Sequence, residues 1–400
     1  MSKALLPIFL VVVVDILGMT IVLPLLPFYA EHLGASATVV GMVVSSFAVC
    51  QLFGGPILGR LSDRFGRRPL LLVSQVGTLI GFIILAFAHN LWLLFLSRII
   101  DGFTAGNISL AQAYIADVTK PEERTRAFAF IGIAFGVGFL IGPALSGFLS
   151  QFGYIYPILV AIGLSATSIL ATWLFLPKTK ALPASAESRR LSLLEWSRYA
   201  AYFRQPGLGA LLTLFFLFVL AFTSFMSGFP LFAERRYTVD AHPFTAREVG
   251  YVYAYVGVIG ILVQGGMLSR LSKVWGDWRI IQFGFLSGVI GFSALAFTRE
   301  IPALLLAAIP ITFTSSLIRP AVTSLITRAT DRSEQGSVLG LTQSLQSIAQ
   351  IFMPLLAGVL IDHSQLGLWC FLAAILCLAA FLVPKPPQAA AAPTVAAGHR

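Results

Sequence analysis

Charged side chains are scarce in this chain of 400 residues, of which Asp, Glu, Lys and Arg make up 11% and hydrophobic residues 57%. Soluble proteins carry about 25% charged residues, so the composition excludes a soluble globular protein of this size. Cysteine is scarce too, and Cys50, Cys370 and Cys377 have neither metal-ligand spacing nor an even number for pairing. The sequence also lacks a phosphate-binding glycine loop, a nucleotide-binding fingerprint and a catalytic triad. We therefore expect no metal site, no cofactor and no enzymatic activity.

Long apolar runs recur along the whole chain, and each is long enough to cross the ~30 Å hydrocarbon layer of a bilayer. Within lipid the backbone must satisfy its own hydrogen bonds, and runs this uniform favour helices over the alternating strands of a barrel. We predict an all-α membrane protein with 12 transmembrane helices. The predicted spans are 4–30, 39–59, 69–88, 91–117, 126–150, 154–177, 207–232, 247–269, 279–298, 301–328, 336–361 and 364–384.

The distribution of Lys and Arg predicts the topology. The net charge of +10 arises in part from the loops 60–68 and 118–126 and the segment 178–206, whereas the loops 31–38, 89–90 and 151–153 contain no Lys or Arg. Positive loops stay in the cytoplasm, so we expect both termini and the segment 178–206 on that side, and nucleic acid is not needed to explain the basic balance. The loop 233–246 departs from this rule with Arg235 and Arg236.

A weak internal repeat divides the chain into halves. The triplet Arg-Leu-Ser at 60–62 recurs 210 residues later at 270–272, and Gly66 recurs as Gly276. The charges change, since Lys273 replaces Asp63 and Asp277 replaces Arg67. The predicted domains are two six-helix bundles at 1–177 and 207–385, a cytoplasmic linker at 178–206 and a disordered tail at 386–400. The amphipathic piece 191–203 of the linker either lies on the membrane surface or is part of a plain linker.

The loop between the second and third predicted spans carries the most specific pattern. Residues 59–71 read GRLSDRFGRRPLL, a charged stretch between two apolar runs. It resembles the signature loop of the major facilitator superfamily of membrane transporters, which it matches at Gly59, Leu61, Asp63, Arg64, Gly66, Arg67 and Arg68. An ordinary positive loop would need neither the carboxylate nor the two glycines.

The resemblance implies a conformational gate formed by these loop residues together with Asp117, at the end of the fourth span. It implies that Asp117 contacts Arg67 when the transporter faces outward, while Asp63 caps the N-terminus of a second-half helix. An anion at a helix N-terminus is favoured by ~0.3–1 kcal/mol, so losing such a contact in one state shifts the balance between inward and outward forms. The superfamily fold, with substrate bound between the two halves, is expected up to about residue 385.

The fifth predicted span is rich in glycine and is similar to the fifth-helix motif of proton-coupled antiporters in the superfamily. Gly138, Gly142, Pro143 and Gly147 lie on or near one helix face, where small residues let backbones approach closely. An ordinary packing face is the alternative. Under either interpretation we expect these residues to contact other helices and not the substrate.

Ionisable residues inside spans indicate function, because a charge in hydrocarbon costs about 2.5–3.5 kcal/mol on insertion scales. Asp15 lies mid-span, in a stretch that resembles the first helix of tetracycline/proton antiporters and their multidrug relatives. It is the candidate proton site, with a structural hydrogen-bond acceptor as the alternative. Arg98 and Asp101 are three residues apart and can neutralise each other. They resemble the superfamily's fourth-helix motif, whose Arg is linked to proton transfer, but a purely structural pair is the alternative.

The candidate substrate cavity combines polar and aromatic side chains. Its predicted residues are Asn107, Gln112, Gln264, Arg319, Gln343, Gln346, Phe28 and Tyr251. Arg319 has no acidic residue on its own span, so it finds a partner elsewhere, faces water or binds an anionic group.

These patterns predict a secondary active transporter, namely a proton-coupled antiporter that exports amphipathic small molecules or drugs across the bacterial inner membrane. The alternative is a proton symporter or a facilitator for uptake of a sugar or other metabolite. A transporter-like receptor without flux is a further alternative from a different class. The expected partners are the lipid bilayer, protons and a small-molecule substrate, with no nucleic acid, and we expect a monomer.

Overall fold

The computed structural model describes residues 5–119, 124–177, 196–205, 207–330 and 334–386, and these residues are almost entirely helical. The helices are α1 (Leu5–His32), α2 (Ala37–Phe65), α3 (Arg67–Ala86), α4 (Leu91–Thr104), α5 (Asn107–Val118), α6 (Arg124–Ser150), α7 (Ile155–Phe175), α8 (Trp196–Arg204), α9 (Leu208–Arg236), α10 (Ala246–Leu262), α11 (Leu268–Phe297), α12 (Ile301–Arg328), α13 (Gln335–Asp362) and α14 (Leu366–Phe381).

The helices account for every predicted span. Within the described residues, nine helices are long and apolar enough to cross a membrane, and Ala134–Ser150 and Leu366–Phe381 are shorter apolar helices. The remaining predicted span, 91–117, is shared between α4 and α5. The prediction of an all-α membrane fold is confirmed.

The prediction of a continuous fourth span is wrong, because the helix breaks at Ala105 and Gly106. A break inside a membrane frees backbone groups that need other partners. Ser74 on α3 supplies them: its hydroxyl donates to the Thr104 carbonyl oxygen and accepts from the Gly106 N–H group at 3.0 Å. The eighth predicted span also differs from an ideal helix, through a π-helical turn at Val263–Met267. Between the eighth and ninth predicted spans, α11 contains one non-helical residue, Gly276.

We call residues 5–177 the first half and residues 207–386 the second half. In the first half, α1 packs on α6 and α7, and α4 packs on α2 and α3. In the second half, α9 packs on α13 and α14, and α11 packs on α12 and α14. The helices run alternately up and down, so the loop 60–68 marks one end of the molecule, here called the basic end. The other end, which holds the turns at 33–36 and 151–154, is called the opposite end.

The predicted loop 233–246 is shorter than expected, since α9 continues to Arg236 and is followed by a small hairpin. In the hairpin, Thr238–Val239 pairs antiparallel with His242–Pro243. Of the predicted linker, residues 196–204 form α8, which packs on α9, while residues 178–195 lie outside the described residues, as does the tail from 387.

Candidate functional site

The two halves meet at the opposite end through α2 and α13. Asp362, the last residue of α13, accepts hydrogen bonds from the backbone N–H groups of Ala37 and Thr38, both at 2.8 Å. These N–H groups begin α2 and have no partner inside that helix, so the carboxylate satisfies them and lies at the positive end of the helix dipole. Further along the same contact, the Ser45 hydroxyl donates to the Ile351 carbonyl oxygen at 2.7 Å.

Glycines allow this close approach of α2 and α13. A Cβ atom placed on Gly358 would lie 2.9 Å from Thr38 Cα, and one placed on Gly41 would lie 3.1 Å from Leu355 Cα. Since real Cβ contacts are longer, a larger residue at either position would push the two backbones apart at the opposite end.

A second contact between the halves joins α6 to α10 at the same end. A Cβ atom on Gly250 of α10 would lie 2.7 Å from Gly147 Cα and would also meet the Pro143 carbonyl oxygen. Gly147 and Pro143 therefore belong to the contact between halves.

The other two glycines of the fifth-span motif have a different partner. Gly138 and Gly142 face Ile16 and Thr20 of α1 within the first half. The Thr20 hydroxyl also donates to the Gly138 carbonyl oxygen at 2.9 Å. One face of the motif thus packs on α1, while its opposite-end residues pack on the second half.

An ion pair completes the closure of the opposite end. Arg235 at the end of α9 donates to Glu31 at the end of α1, with an NH2 to Oε1 distance of 2.8 Å. The neighbouring Arg236 donates to the carbonyl oxygens of Ala296 and Thr298 at 3.0 and 2.8 Å, where α11 ends. Both arginines thus have tertiary partners at this end.

At the basic end the halves lie apart. Among the described residues, α5 packs against α1, α2, α3 and α6, whereas α12 packs against α9, α10 and α11. A Cβ atom on Gly55 of α2, Gly136 of α6 or Gly340 of α13 would have no atom within 4 Å, although each helix is tightly packed at its opposite end. We call the space between α5 on one side and α12 and α13 on the other the opening.

Arg67 organises the loop at the start of the opening. Its Nε donates to Asp117 Oδ2 at 2.9 Å, and its NH1 group contacts Asp63 Oδ1 and the Ser62 hydroxyl, both at 2.6 Å. Gly66 separates α2 from α3 with φ of 95°, a conformation that favours glycine. Arg67 therefore ties the end of α2 to the end of α5.

The remaining loop residues point outward or back into the first half. Arg68 donates to the Trp173 carbonyl oxygen of α7. The exposed Arg64 lies 5.3 Å above the ring centroid of Phe65, and a Cβ atom on Gly59 would meet open space.

The second half repeats this loop with the charges exchanged. Gly276 has φ of 74° and ψ of 158°, close to the 95° and 154° of Gly66. Next to it, Asp277 Oδ2 pairs with Arg328 NH1 at 3.0 Å. The carboxylate and the guanidinium have swapped helices relative to Arg67 and Asp117, so the ion pair is retained with reversed polarity.

Asp15 lies between α1, α3 and α7 and has neutral partners. Gln75 Nε2 approaches Asp15 Oδ2 at 3.4 Å and donates to the Ser168 hydroxyl at 2.7 Å. Both of these partners are fully buried, and Gln75 Oε1 has no hydrogen-bond partner among the described residues. The carboxylate is therefore held on the side of α1 away from the second half.

Arg98 and Asp101 form a buried ion pair. Arg98 NH1 lies 3.1 Å from Asp101 Oδ2, and both side chains are less than a tenth exposed. The guanidinium lies 6.0 Å from the ring centroid of Phe82, and its NH2 group has no hydrogen-bond partner among the described residues. The pair lies against α3, where a Cβ atom on Gly81 would lie 2.9 Å from Asp101 Cβ.

Of the predicted cavity residues, Arg319 and Gln346 are brought into contact. Arg319 NH2 on α12 donates to Gln346 Oε1 on α13 at 3.1 Å. Arg319 and Gln343 are exposed on the second-half side of the opening, and Gln112 is exposed on α5 across from them. Gln264 is exposed in the π-helical turn after α10.

Phe28, Tyr251 and Asn107 were predicted to line the cavity, but the structure places them in other surroundings. Phe28 is 4% exposed and belongs to the hydrophobic core, so it does not line the opening. Tyr251 is exposed near the opposite end of α10, with the Arg247 guanidinium 5.9 Å from its ring centroid. Asn107 begins α5, and its buried Oδ1 atom has no hydrogen-bond partner among the described residues.

The sequence model of the Major Facilitator Superfamily matches residues 8–354 and 290–399. The chain belongs to that superfamily. It is 29% identical to the class H tetracycline resistance protein of Pasteurella multocida over 369 residues, which are 91% of this chain and 90% of that protein. It is 26% identical to multidrug resistance protein 2 of Bacillus subtilis over 363 residues, 87% of this chain and 86% of that protein.

Solved structures of transporters share the fold. The human organic anion transporter MFSD10 superposes with a TM-score of 0.72 at 24% identity, covering 95% of this chain and 98% of that one. A point mutant of the nucleoside transporter NupG gives 0.77 at 15% identity, with 96% and 100% covered. The protein is thus an integral membrane protein with the superfamily fold.

The superfamily resemblance implies two contacts in the outward-facing form, and both stay predictions. In this structure, which is closed at the opposite end, the Asp63 side chain is 56% exposed and contacts Arg67. The Arg67–Asp117 contact is present in the same form. Both partners of this contact belong to the first half.

Sequence analysis missed the residues that close the opposite end, above all Asp362. A signal was present, because a carboxylate in the last turn of a helix opposes that helix's own dipole and needs a partner from elsewhere. Asp362 ends α13, and Glu31 lies near the end of α1. Their partners, on α2 and α9, are not adjacent in sequence and could not be identified from the pattern alone.

Proposed function

We propose that this superfamily member is a proton-coupled antiporter that exports amphipathic small molecules or drugs across the bacterial inner membrane, and that it is a monomer without enzymatic activity. The observation that carries the proposal is the arrangement of the halves. They are closed at one end and apart at the other, and ionisable residues lie within the spans of both halves. The named resistance proteins among its relatives support export as the direction.

We further propose that the basic end faces the cytoplasm, as positive loops do. The form described here would then be open to the cytoplasm and ready to load an exported substrate. Cysteines introduced by Gln151→Cys and Ser188→Cys, in a background without the three native cysteines, should label from opposite sides of the membrane. Labelling of both from the same side would contradict this orientation.

Asp15 is the proposed proton site, with the Arg98–Asp101 pair assisting. Asp101 has a cation within 3.1 Å, whereas Asp15 contacts the neutral side chains of Gln75 and Ser168. A carboxylate inside a span that has neutral partners can take up and release a proton without breaking an ion pair. A proton and a substrate can then be carried in alternation without ATP.

The test is uptake of a panel of labelled drugs into inside-out vesicles under an imposed pH gradient. Asp15→Asn should abolish gradient-driven uptake and leave substrate counterflow intact, because counterflow requires no net proton movement. Asp240→Asn, which removes a carboxylate from the hairpin turn, is the matched control and should transport like the wild type. Gradient-driven uptake by Asp15→Asn at the wild-type rate would place the proton site elsewhere, with Asp101 next.

The same assay separates the rival functions. If uptake is driven by a pH gradient of the opposite direction, the protein is a proton symporter of a metabolite. If the rate of uptake does not depend on the pH gradient, the protein is a facilitator. If wild-type protein moves no compound of the panel under any gradient, the proposed antiport is wrong.

A further inference from the structure

Arg319 is a cation on the second-half wall of the opening, and it has no anionic partner among the residues that the structure describes. Arg319 is nine residues from the basic end of α12, roughly 14 Å along the helix axis at 1.5 Å per residue. Its side chain is exposed, although the position lies well inside a predicted span. An ionisable group at this depth faces a cavity or a partner.

The partner of Arg319 is neutral. Its NH2 group donates to Gln346 Oε1 at 3.1 Å, and no carboxylate among the described residues lies within ion-pair distance. The described acidic residues of the second half lie at helix ends or in turns: Glu234, Asp240, Glu248, Asp277, Glu300, Glu334 and Asp362. In the first half, Asp15 is held by Gln75, and Asp101 is paired with Arg98.

Besides Gln346, two exposed amide side chains belong to the helices that form this side of the opening. Gln343 lies one turn nearer the basic end than Gln346 on α13 and is exposed. Gln264 lies one turn after Gly260, where a Cβ atom would lie 3.2 Å from the Ser316 hydroxyl oxygen on α12. The rise along the two helices therefore places the exposed Gln264 at about the level of Arg319. These amides can donate hydrogen bonds to an anion and add no negative charge of their own.

We propose that Arg319, positioned by Gln346, binds an anionic group of the transported molecule, such as a carboxylate or a sulfonate. The preferred substrates are then anionic or zwitterionic amphipaths, and simple lipophilic cations are poor substrates. A guanidinium suits this purpose because its planar donors match both oxygens of a carboxylate. The inference rests on the proposed transport function and adds its substrate class. An anionic lipid headgroup has the same chemistry and is the other source of an anion at this position.

Binding of three related probes to purified protein in phosphatidylcholine nanodiscs tests the proposal. The probes share a dansyl group and an alkyl chain and end in a carboxylate (dansyl-6-aminohexanoate), an amide (dansyl-6-aminohexanamide) or an amine (dansylcadaverine). Wild-type protein should bind the carboxylate about ten-fold more tightly than the amide and should bind the amine least, a ratio that corresponds to one good charge-assisted contact.

Variants assign the preference to Arg319. Arg319→Gln should lose the preference for the carboxylate while still binding the amide, which also shows that the variant is folded. Arg319→Lys should retain a smaller preference, and Gln346→Leu should weaken it, because the guanidinium is then less well positioned. Arg279→Gln removes an exposed cation from α11, three residues after Gly276 and outside the opening, and should behave like the wild type.

Two outcomes overturn the proposal. One is a carboxylate preference that survives in Arg319→Gln, and the other is wild-type protein that binds the carboxylate no more tightly than the amide. Neither outcome affects gradient-driven uptake of other compounds, so failure of this inference is distinguishable from failure of the proposed function. If phosphatidylglycerol nanodiscs abolish a preference seen in phosphatidylcholine, a lipid headgroup competes for Arg319 and is identified as its second ligand.

Discussion

The two ends of the α2–α13 pair differ in the contact made by a carboxylate at a helix end. These helices run antiparallel, and each has a carboxylate in its last turn, Asp63 in α2 and Asp362 in α13. At the opposite end, Asp362 of α13 is bonded to the N-terminus of α2 at 2.8 Å. At the basic end, Asp63 of α2 is exposed and contacts Arg67 of its own half. A carboxylate at a helix end therefore joins the two halves at the opposite end, whereas the one at the basic end has its contact within the first half.

The glycines follow the same division. At the closed end, Gly41 and Gly358 each lie against the backbone of the other helix, so that an added Cβ atom would clash. A Cβ atom on Gly55 or Gly340 of the same two helices would meet no atom within 4 Å. Small residues at both ends of both helices let either end close when the halves rock against each other. The comparison indicates a hinge-like alternation between two closures, of which this structure contains one.

The largest expected effect comes from filling the glycine contact at the closed end. Gly250→Leu should prevent closure of the opposite end, because even a Cβ atom there lies 2.7 Å from Gly147 Cα. Overpacking of this kind costs about 1–3 kcal/mol, so transport should fall roughly ten-fold or more. Distances between spin labels introduced by Gln151→Cys and Glu300→Cys should lengthen in the purified variant.

Two leucine variants control for that result. Gly340→Leu adds the same side chain at the open end and should leave the Gln151–Glu300 distance short, while it obstructs closure of the basic end. Gly163→Leu places the side chain on an exposed face of α7, where an added Cβ atom has no neighbour within 4 Å. This variant should change neither transport nor the spin-label distance. Loss of function in Gly163→Leu would show that added bulk alone explains the Gly250 effect.

A smaller effect is expected from Asp362→Asn, which removes the charge but keeps the size of the side chain. The exposed contact contributes about 0.5 kcal/mol after solvent screening, so the population of the form closed at the opposite end should fall roughly two-fold. The same spin-label pair measures this change as a shift between short and long distances. A similar loss in Asp240→Asn would show that the effect is a general one of charge at this end.

The smallest effect on the form described here is expected from Asp63→Asn. Its contact in this form is an exposed ion pair with Arg67, and such pairs contribute little. If Asp63 caps α13 in the alternative form, the substitution raises the fraction closed at the opposite end, a change of opposite sign to that of Asp362→Asn. Spin-label distances in the double variant should then return toward the wild-type distribution, and a further loss of the short distance would contradict the reciprocal arrangement.

Sequence patterns predicted the helices well and their interruptions poorly. Apolar length predicts a span because lipid demands a hydrogen-bonded backbone, and this rule placed every span on a helix. The break at Gly106 depends on Ser74, which is 32 residues away on α3. The Ser74 hydroxyl oxygen accepts a hydrogen bond from the Gly106 N–H group, which lies at the break. A pattern confined to one span contains no information about such a partner.

The candidate site was predicted in its residue types more than in its arrangement. Asp15, Arg98 and Arg319 stood out because charges inside spans are rare. Their neighbours did not, since Gln75 and Ser168 have no distinctive spacing and reach Asp15 only after α1, α3 and α7 pack. Phe28 was wrongly assigned to the lining because an aromatic residue in a span faces the core, lipid or a cavity with no difference in pattern.

The sequence by itself determined that this chain crosses the membrane, where its helices lie and which residues break the apolar rule, because each of these follows from local hydrophobicity and charge. Only the tertiary structure decided which end of the molecule is closed and which mid-span charge has a counter-charge. Those properties depend on contacts between distant residues, as with Asp362 and Ala37, 325 positions apart. A bilayer determines the composition of each helix individually, but the partner of a polar group is determined by how the helices pack.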